Sequence, residues 1–150
     1  MEAGQVWLGA NVGPSFRLGS DLAIPDAMLM FNGTMEYVFA PQWSVIAGVA
    51  LGVSGTVPLK GRFGGLYRFS GFELPVSPYV RAEASAGRLF DVLGADLTSV
   101  GGRIGAGADY FLTAKWIIGA MVAYELASTT GQRPVWYGTL DVLLTFAHVL

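Results

Sequence analysis

Leu29-Met30-Phe31-Asn32-Gly33-Thr34-Met35-Glu36-Tyr37-Val38-Phe39 is the stretch that decides the fold of this chain. Leu29, Phe31, Met35, Tyr37 and Phe39 share one parity, and Asn32, Thr34 and Glu36 share the other. A helix would scatter the two sets around its circumference, whereas a strand sends successive side chains to opposite faces and keeps each set together. Extended segments of about ten residues, with one apolar and one small or polar face, are the units of a membrane-spanning barrel.

The same period recurs on both sides of this stretch. Before it, Val6, Leu8, Ala10, Val12 and Phe16 oppose Gly9, Asn11, Gly13, Ser15 and Arg17, with Trp7 and Pro14 blurring the split. After it, Trp43, Val45, Ala47, Val49 and Leu51 oppose Ser44, Gly48, Ala50 and Gly52, with Ile46 as an inward exception. Phe63, Tyr67 and Phe69 alternate with Arg62, Gly64 and Arg68, and Val80, Ala82, Ala84 and Ala86 with Arg81, Glu83, Ser85 and Gly87. Val100, Ile104, Ala106, Ala108 and Tyr110 oppose Gly101, Arg103, Gly105, Gly107 and Asp109. Trp116, Ile118, Ala120, Val122 and Tyr124 oppose Gly119, Ala123 and Glu125, with Ile117 and Met121 as apolar inner exceptions. Finally, Leu140, Val142, Leu144, Phe146, His148 and Leu150 oppose Thr139, Asp141, Thr145 and Ala147. An even number of such segments closes with both chain ends on one side. The pattern predicts an all-β fold: one eight-stranded antiparallel transmembrane β-barrel, an up-and-down meander, as a single domain over residues 1–150.

Composition favours the same class. Hydrophobic residues make up 53% of the chain and charged ones 13%, about half the charge of an ordinary soluble domain. A formal charge of -2 without a basic block argues against a nucleic-acid partner. The lack of cysteine excludes disulfides, thiolate metal sites and cysteine nucleophiles. Met1-Glu2-Ala3-Gly4-Gln5 has neither the basic start nor the apolar core of a secretory signal, so an exported chain is expected to have shed its leader.

Two rival architectures use the same residues. Tyr37 to Leu59 carries no charge and is long enough for a transmembrane helix, but it contains Pro41, Pro58, Gly48, Gly52 and Gly55 and alternates better than it stripes. A soluble lipocalin-like barrel would also alternate. The polar face here, mostly glycine and charges of both signs, is too sparse for a solvent coat.

The predicted connections fall into a mostly short set, Ala40 to Gln42, Ser70 to Val76 and Leu112 to Lys115, and a longer set, Leu18 to Ala27, Ser54 to Gly61, Leu89 to Ser99 and Leu126 to Val135. Bacterial barrels keep short turns in the periplasm, which predicts both termini there. Two hairpins repeat one design: Glu36-Tyr37-Val38-Phe39-Ala40-Pro41-Gln42-Trp43 and Asp109-Tyr110-Phe111-Leu112-Thr113-Ala114-Lys115-Trp116 each run from an inward acid and outward tyrosine through a turn to an outward tryptophan. Tyr37, Trp43, Tyr110 and Trp116 are thus the expected aromatic belt of one interface, and Phe16, Phe31, Phe63, Tyr124 and Trp136 that of the other.

With these hairpins and the alternating strands around them, the chain resembles the small outer-membrane barrels of Gram-negative bacteria, in the broad group of outer membrane protein A transmembrane domains and their eight-stranded relatives. The resemblance covers essentially the whole chain and implies integral location in the cell outer membrane, contact with its lipids, insertion by the outer-membrane assembly machinery, and a monomeric barrel. Such barrels commonly end in an aromatic residue, whereas this sequence ends Phe146-Ala147-His148-Val149-Leu150. They include anchors, adhesins, small-solute channels and lipid-modifying enzymes, so the fold does not choose among these activities.

The residues that bear on function are the inward charges, Glu36, Arg62, Arg68, Arg81, Glu83, Arg103, Asp109, Glu125 and Asp141. Buried ions of opposite sign satisfy one another where a lone one would be costly. They are read as an ionic network that packs the lumen, with Arg68, Arg81 and Arg103 sharing Glu36, Glu83 and Asp109. The second reading is a network lining a narrow path, since eight strands enclose room for side chains or one small ligand. Catalysis has little to work with: the single histidine, His148, falls on the lipid-facing parity, away from Ser15, Ser44 and Ser85. Asp21 with Asp26, and Asp91 with Asp96, read as solvated loop acids, not a calcium site. No catalytic residue, metal or cofactor is predicted. The expected function is non-enzymatic and structural, contributing to envelope integrity or anchoring; the alternative is a narrow channel for small solutes or hydrophobic molecules.

Overall fold

Alternating sequence becomes alternating strand throughout the computed structural model, which describes residues 2–20, 25–54, 56–69, 75–92, 95–130 and 134–150. The strands are β1 (Val6–Ser20), β2 (Ala27–Ala40), β3 (Trp43–Val53), β4 (Val57–Arg68), β5 (Val76–Val92), β6 (Ala95–Phe111), β7 (Trp116–Thr129) and β8 (Trp136–Val149). Each pairs antiparallel with the next, and β1 pairs with β8, from Trp7↔Val149 up to Ser20↔Tyr137, to close the barrel. Both chain ends sit at one rim, where the Leu150 backbone N–H donates to the Val6 carbonyl oxygen.

Closure satisfies the backbone, and the side-chain pattern states the solvent. Phe63 and Ile104 are each 64% exposed on the outer wall, while Arg103 and Glu125 inside are 2% and 1% exposed. A barrel in water carries its charges outside; this one is inverted, as lipid requires. Among the described residues no helix is long and apolar enough to cross a membrane. The uncharged Tyr37 to Leu59 stretch, the rival helix, instead ends β2, makes all of β3 and begins β4.

The structure revises five expectations. The strands at the rim away from the termini are longer than the alternation suggested: β4 starts at Val57, and β5 and β6 extend to Val92 and back from Ala95. Most of the loops expected at Ser54 to Gly61 and Leu89 to Ser99 is therefore strand, leaving 54–56 and 93–94 between strands. The contrast of short and long connections largely disappears, because 69–75 on the terminal rim separates its strands by more than either. Phe63, expected near the far belt, pairs with Ala47 and Ala84 midway along β4. Arg17, grouped with the inward residues, sits at the rim, where its guanidinium meets Asp26 at 2.5 Å.

The fifth revision concerns the lumen, which holds more apolar filling than its glycines suggested. Trp7, Val38, Ile117 and Val149, with Phe111 and Ala147 against them, pack across the terminal end. Leu89, Val92, Ala127 and Tyr137, with Leu97 and Val135, pack across the far end. Between them runs a strip that includes Met28, Met30, Ile46, Leu66, Met121 and Leu143. Parity had identified Ile46, Ile117 and Met121 as inward; the other fillers continue the same faces.

Some inner glycines serve curvature instead of cavity. A Cβ on Gly64 would lie 2.0 Å from the Ala82 carbonyl oxygen, and one on Gly87 would lie 2.1 Å from that of Leu59. At both places the neighbouring backbone occupies the space, so β4 and β5 can coil tightly against each other only without side chains there. Gly64→Ala is expected to destabilise the barrel by about 1–3 kcal/mol, the usual range for overpacking, read as a lower urea midpoint for unfolding from lipid vesicles. Gly61→Ala, which meets its nearest neighbour only at 3.8 Å on the outer wall, is the control expected to leave the midpoint near wild type.

Candidate functional site

Side chains that alternate inward from eight strands converge on one narrow axis, and the charges among them divide into two clusters. Toward the terminal end, Arg68 of β4 donates to both carboxylate oxygens of Glu36 on β2, to Asp109 Oδ2 on β6 at 3.1 Å and to Ser44 Oγ at 3.3 Å. Its guanidinium carbon also lies 4.3 Å from the Trp7 ring centre and 5.7 Å from that of Tyr79. One cation thus holds two acids and is itself held by two aromatic faces.

The second cluster is a relay that crosses the lumen. Lys60 Nζ meets Glu125 Oε1 at 2.5 Å, and Arg62 Nη2 meets Glu125 Oε2 at 2.8 Å and Asp141 Oδ2 at 3.9 Å. Asp141 pairs with Arg103 at 2.8 Å, Arg103 with Glu83 at 3.0 Å, and Glu83 with Arg81 at 2.6 Å. Neutral groups fill in: Ser85 Oγ donates to Glu125 Oε1 at 2.9 Å, and Arg62 Nη1 donates to Asn32 Oδ1 at 2.7 Å.

All nine inward charges named from the sequence are buried in this lumen. The expected sharing of acids resolves into a division of labour: Glu36 and Asp109 go to Arg68, while Glu83 goes to Arg81 and Arg103. Lys60 is the residue that the sequence reading missed, because it had been assigned to an outer loop. Its signal was present, since Pro58, Lys60, Arg62 and Gly64 continue one parity against Leu59, Gly61 and Phe63. Tyr79 is inside, against Arg68, and Tyr137 lies 5.0 Å from Lys60 Nζ.

Little in this arrangement suits bond-breaking chemistry. His148 faces outward and stacks edge-on against Trp116 at 4.6 Å, while Ser44 and Ser85 are engaged with Arg68 and Glu125. A serine–histidine pair therefore cannot form in the lumen. Asp21 and the Asp91 side chain lie outside the described residues, and Asp26 is paired to Arg17. Among the described residues there is no group of three metal-ligating side chains. The four hairpin aromatics Tyr37, Trp43, Tyr110 and Trp116 all face outward near the terminal rim, and Trp43 stacks on Tyr67 at 4.8 Å.

Glu125 is the hub of the relay, so removing it should cost more than removing either cation. Glu125→Leu leaves Lys60 and Arg62 without their closest counter-ion and is expected to cost about 3–5 kcal/mol. Lys60→Met leaves Glu125 with Arg62 and Ser85 and should cost clearly less. Urea unfolding of the two variants in the same vesicles checks the order.

No protein-family model matches this chain, and no curated protein matches it in sequence. Solved structures do. Neisserial surface protein A superposes with a TM-score of 0.73 at 16% identity, covering 93% of this chain and 95% of that one. The N-terminal β-barrel domain of Pseudomonas aeruginosa OprF gives 0.65 at 15% identity, covering 97% and 99%. Ail, the attachment invasion locus protein of Yersinia pestis, gives 0.61 at 19% identity, covering 97% and 99%. The chain has the eight-stranded fold of small outer-membrane barrels, and at these identities the likeness concerns the fold alone.

Proposed function

We propose that this chain is an integral outer-membrane protein whose barrel is a closed structural element, contributing to envelope integrity or anchoring, and not a conduit or an enzyme. The observation that carries this reading is the filled lumen. Apolar clusters pack across both ends, and between them every carboxylate of the two charge clusters has a cationic partner. Among the described residues, two lumen cavities measure about 20 and 40 Å³, enough for about one to three water molecules. A hydrated ion or a sugar would have to break several buried pairs to pass.

Its surroundings follow from the same geometry. The apolar outer wall is solvated by lipid acyl chains, and the outward tyrosines and tryptophans at the terminal rim sit at the headgroup level. A chain delivered from the periplasm by the assembly machinery keeps both ends on that side, which places the turns at 41–42 and 112–115 in the periplasm. The barrel functions as a monomer, because closure needs no second chain.

Two measurements test this reading. Purified protein in planar bilayers is expected to give no steady conductance and no flux of small solutes; reproducible flux abolished by filling the lumen at Arg62 or Arg81 would replace it with the channel reading. For orientation, the absence of native cysteine gives a clean background. Thr130→Cys on the far rim should react with a membrane-impermeant maleimide on intact cells, and Thr113→Cys only after the outer membrane is breached. The reverse pattern would invert the topology.

A further inference from the structure

Phe63 and Val49 stand well out from the middle of the outer wall, 64% and 60% exposed, because the residues beside them are recessed. They bank an open groove of about 860 Å³, floored by Gly33 on β2, Ala47 on β3, Gly61 on β4 and Ala86 on β5. Its glycines differ from those inside. A Cβ on Gly33 would meet Val49 Cγ2 only at 3.7 Å, and one on Gly61 would meet the Ala86 carbonyl oxygen only at 3.8 Å. Packing within the barrel does not require glycine at either place, although glycine in a strand costs stability relative to alanine and a lipid-facing position ordinarily carries an apolar side chain. Such a glycine marks a surface that something outside approaches closely.

The groove has a direction. Its row of cross-strand pairs, Ala10↔Gly33, Gly33↔Val49, Val49↔Gly61 and Gly61↔Ala86, climbs from β1 to β5. Ala10 lies four residues in from Val6 and Ala86 ten in from Val76, and both strands start at the terminal rim. Four strand spacings of about 4.8 Å make the row about 19 Å long. That is the reach of an acyl chain lying at an incline in one leaflet, since the hydrocarbon core is about 30 Å thick.

At the upper end stands a cation. Arg88, two residues beyond Ala86 on the same outer face of β5, is exposed, and its cross-strand partners Leu59 and Thr98 are uncharged. Asp96 lies further toward the far rim than Thr98 on β6. An arginine so placed lays its stem along the apolar wall and its head at the polar level, where a guanidinium binds phosphate through two parallel hydrogen bonds. We propose that the groove and Arg88 form one binding site for a phosphorylated membrane lipid of the far-rim leaflet, its phosphate on Arg88 and one acyl chain laid down the groove toward β1. A second barrel meeting this face about a two-fold axis would bring its own Arg88 toward the first, so the charge favours lipid as the occupant. The site is separate from the lumen and holds whether or not the lumen conducts.

Photolabelling tests it. The protein is placed in phosphatidylcholine vesicles with a trace of phosphatidic acid that carries a diazirine midway along one chain, and the labelled residues are mapped by mass spectrometry; phosphatidylcholine with the same diazirine is the reference. Label is expected to concentrate on β3 and β4, with phosphatidic acid preferred about fivefold, the effect of one basic side chain on an anionic lipid. Arg88→Gln removes that preference and Arg88→Lys keeps most of it. Gly61→Leu, which fills the floor, moves both labels off these strands without lowering the urea midpoint. Label spread evenly round the barrel, or a preference that survives Arg88→Gln, overturns the site. Gly61→Cys that oxidises to a disulfide-linked dimer in the same vesicles gives the groove to a second copy instead. If Gly61→Leu does not refold, the two Arg88 variants decide the matter.

Discussion

The ladder between β1 and β8 is the constraint on which the rest of the molecule depends. In lipid an unpaired strand edge has no water to turn to, so the first and last strands have to find each other across the length of the chain. Their register, Trp7↔Val149 through Ser15↔Asp141, fixes the circumference. A fixed circumference fixes how many side chains must share the axis, and the two charge clusters and three apolar ones are the way in which these residues share it.

Seen this way, the acids and bases inside are packing material with directional demands. Removing them from water is costly, and their mutual attraction offsets that cost only where each carboxylate finds donors in the right place. The relay from Lys60 to Arg81 meets the condition by alternating four cations with three carboxylates contributed by five strands. Arg68 meets it differently, by engaging two acids and two aromatic rings at once. Such a lumen is stiff, and it ties strands that are not neighbours in the sheet: Arg103 to Asp141 links β6 to β8, and Lys60 to Glu125 links β4 to β7.

These cross-lumen links mark the limit of what the sequence discloses. Period two assigns a face, so Glu36, Glu125 or Arg103 could be placed inside without any structure. It does not assign a height along the axis, because height depends on strand register and tilt, which one chain's alternation leaves open. Hence Arg81 pairs with Glu83 on its own strand and not with Glu36, and Phe63 falls at mid-wall. Lys60 escaped for a related reason: a charged residue beside Pro58 and Gly61 reads as loop until the strand is known to continue past it. The apolar fillers were partly legible, as interruptions of the polar face at Ile46, Ile117 and Met121. That they join into caps at both ends depends on which rim each one reaches.

The division of the ions into two clusters gives the molecule a property of its own. At full ionisation the terminal cluster has one base, Arg68, against Glu36 and Asp109, while the relay sets Lys60, Arg62, Arg81 and Arg103 against Glu83, Glu125 and Asp141. The terminal cluster is thus one charge negative and the relay one charge positive, and Arg81, the last cation of the relay, lines the same cavity as Glu36 and Asp109, where the two imbalances meet. The bore therefore balances only as a whole: each cluster keeps its odd charge because the other stands within reach of it, inside an apolar wall that salt does not enter.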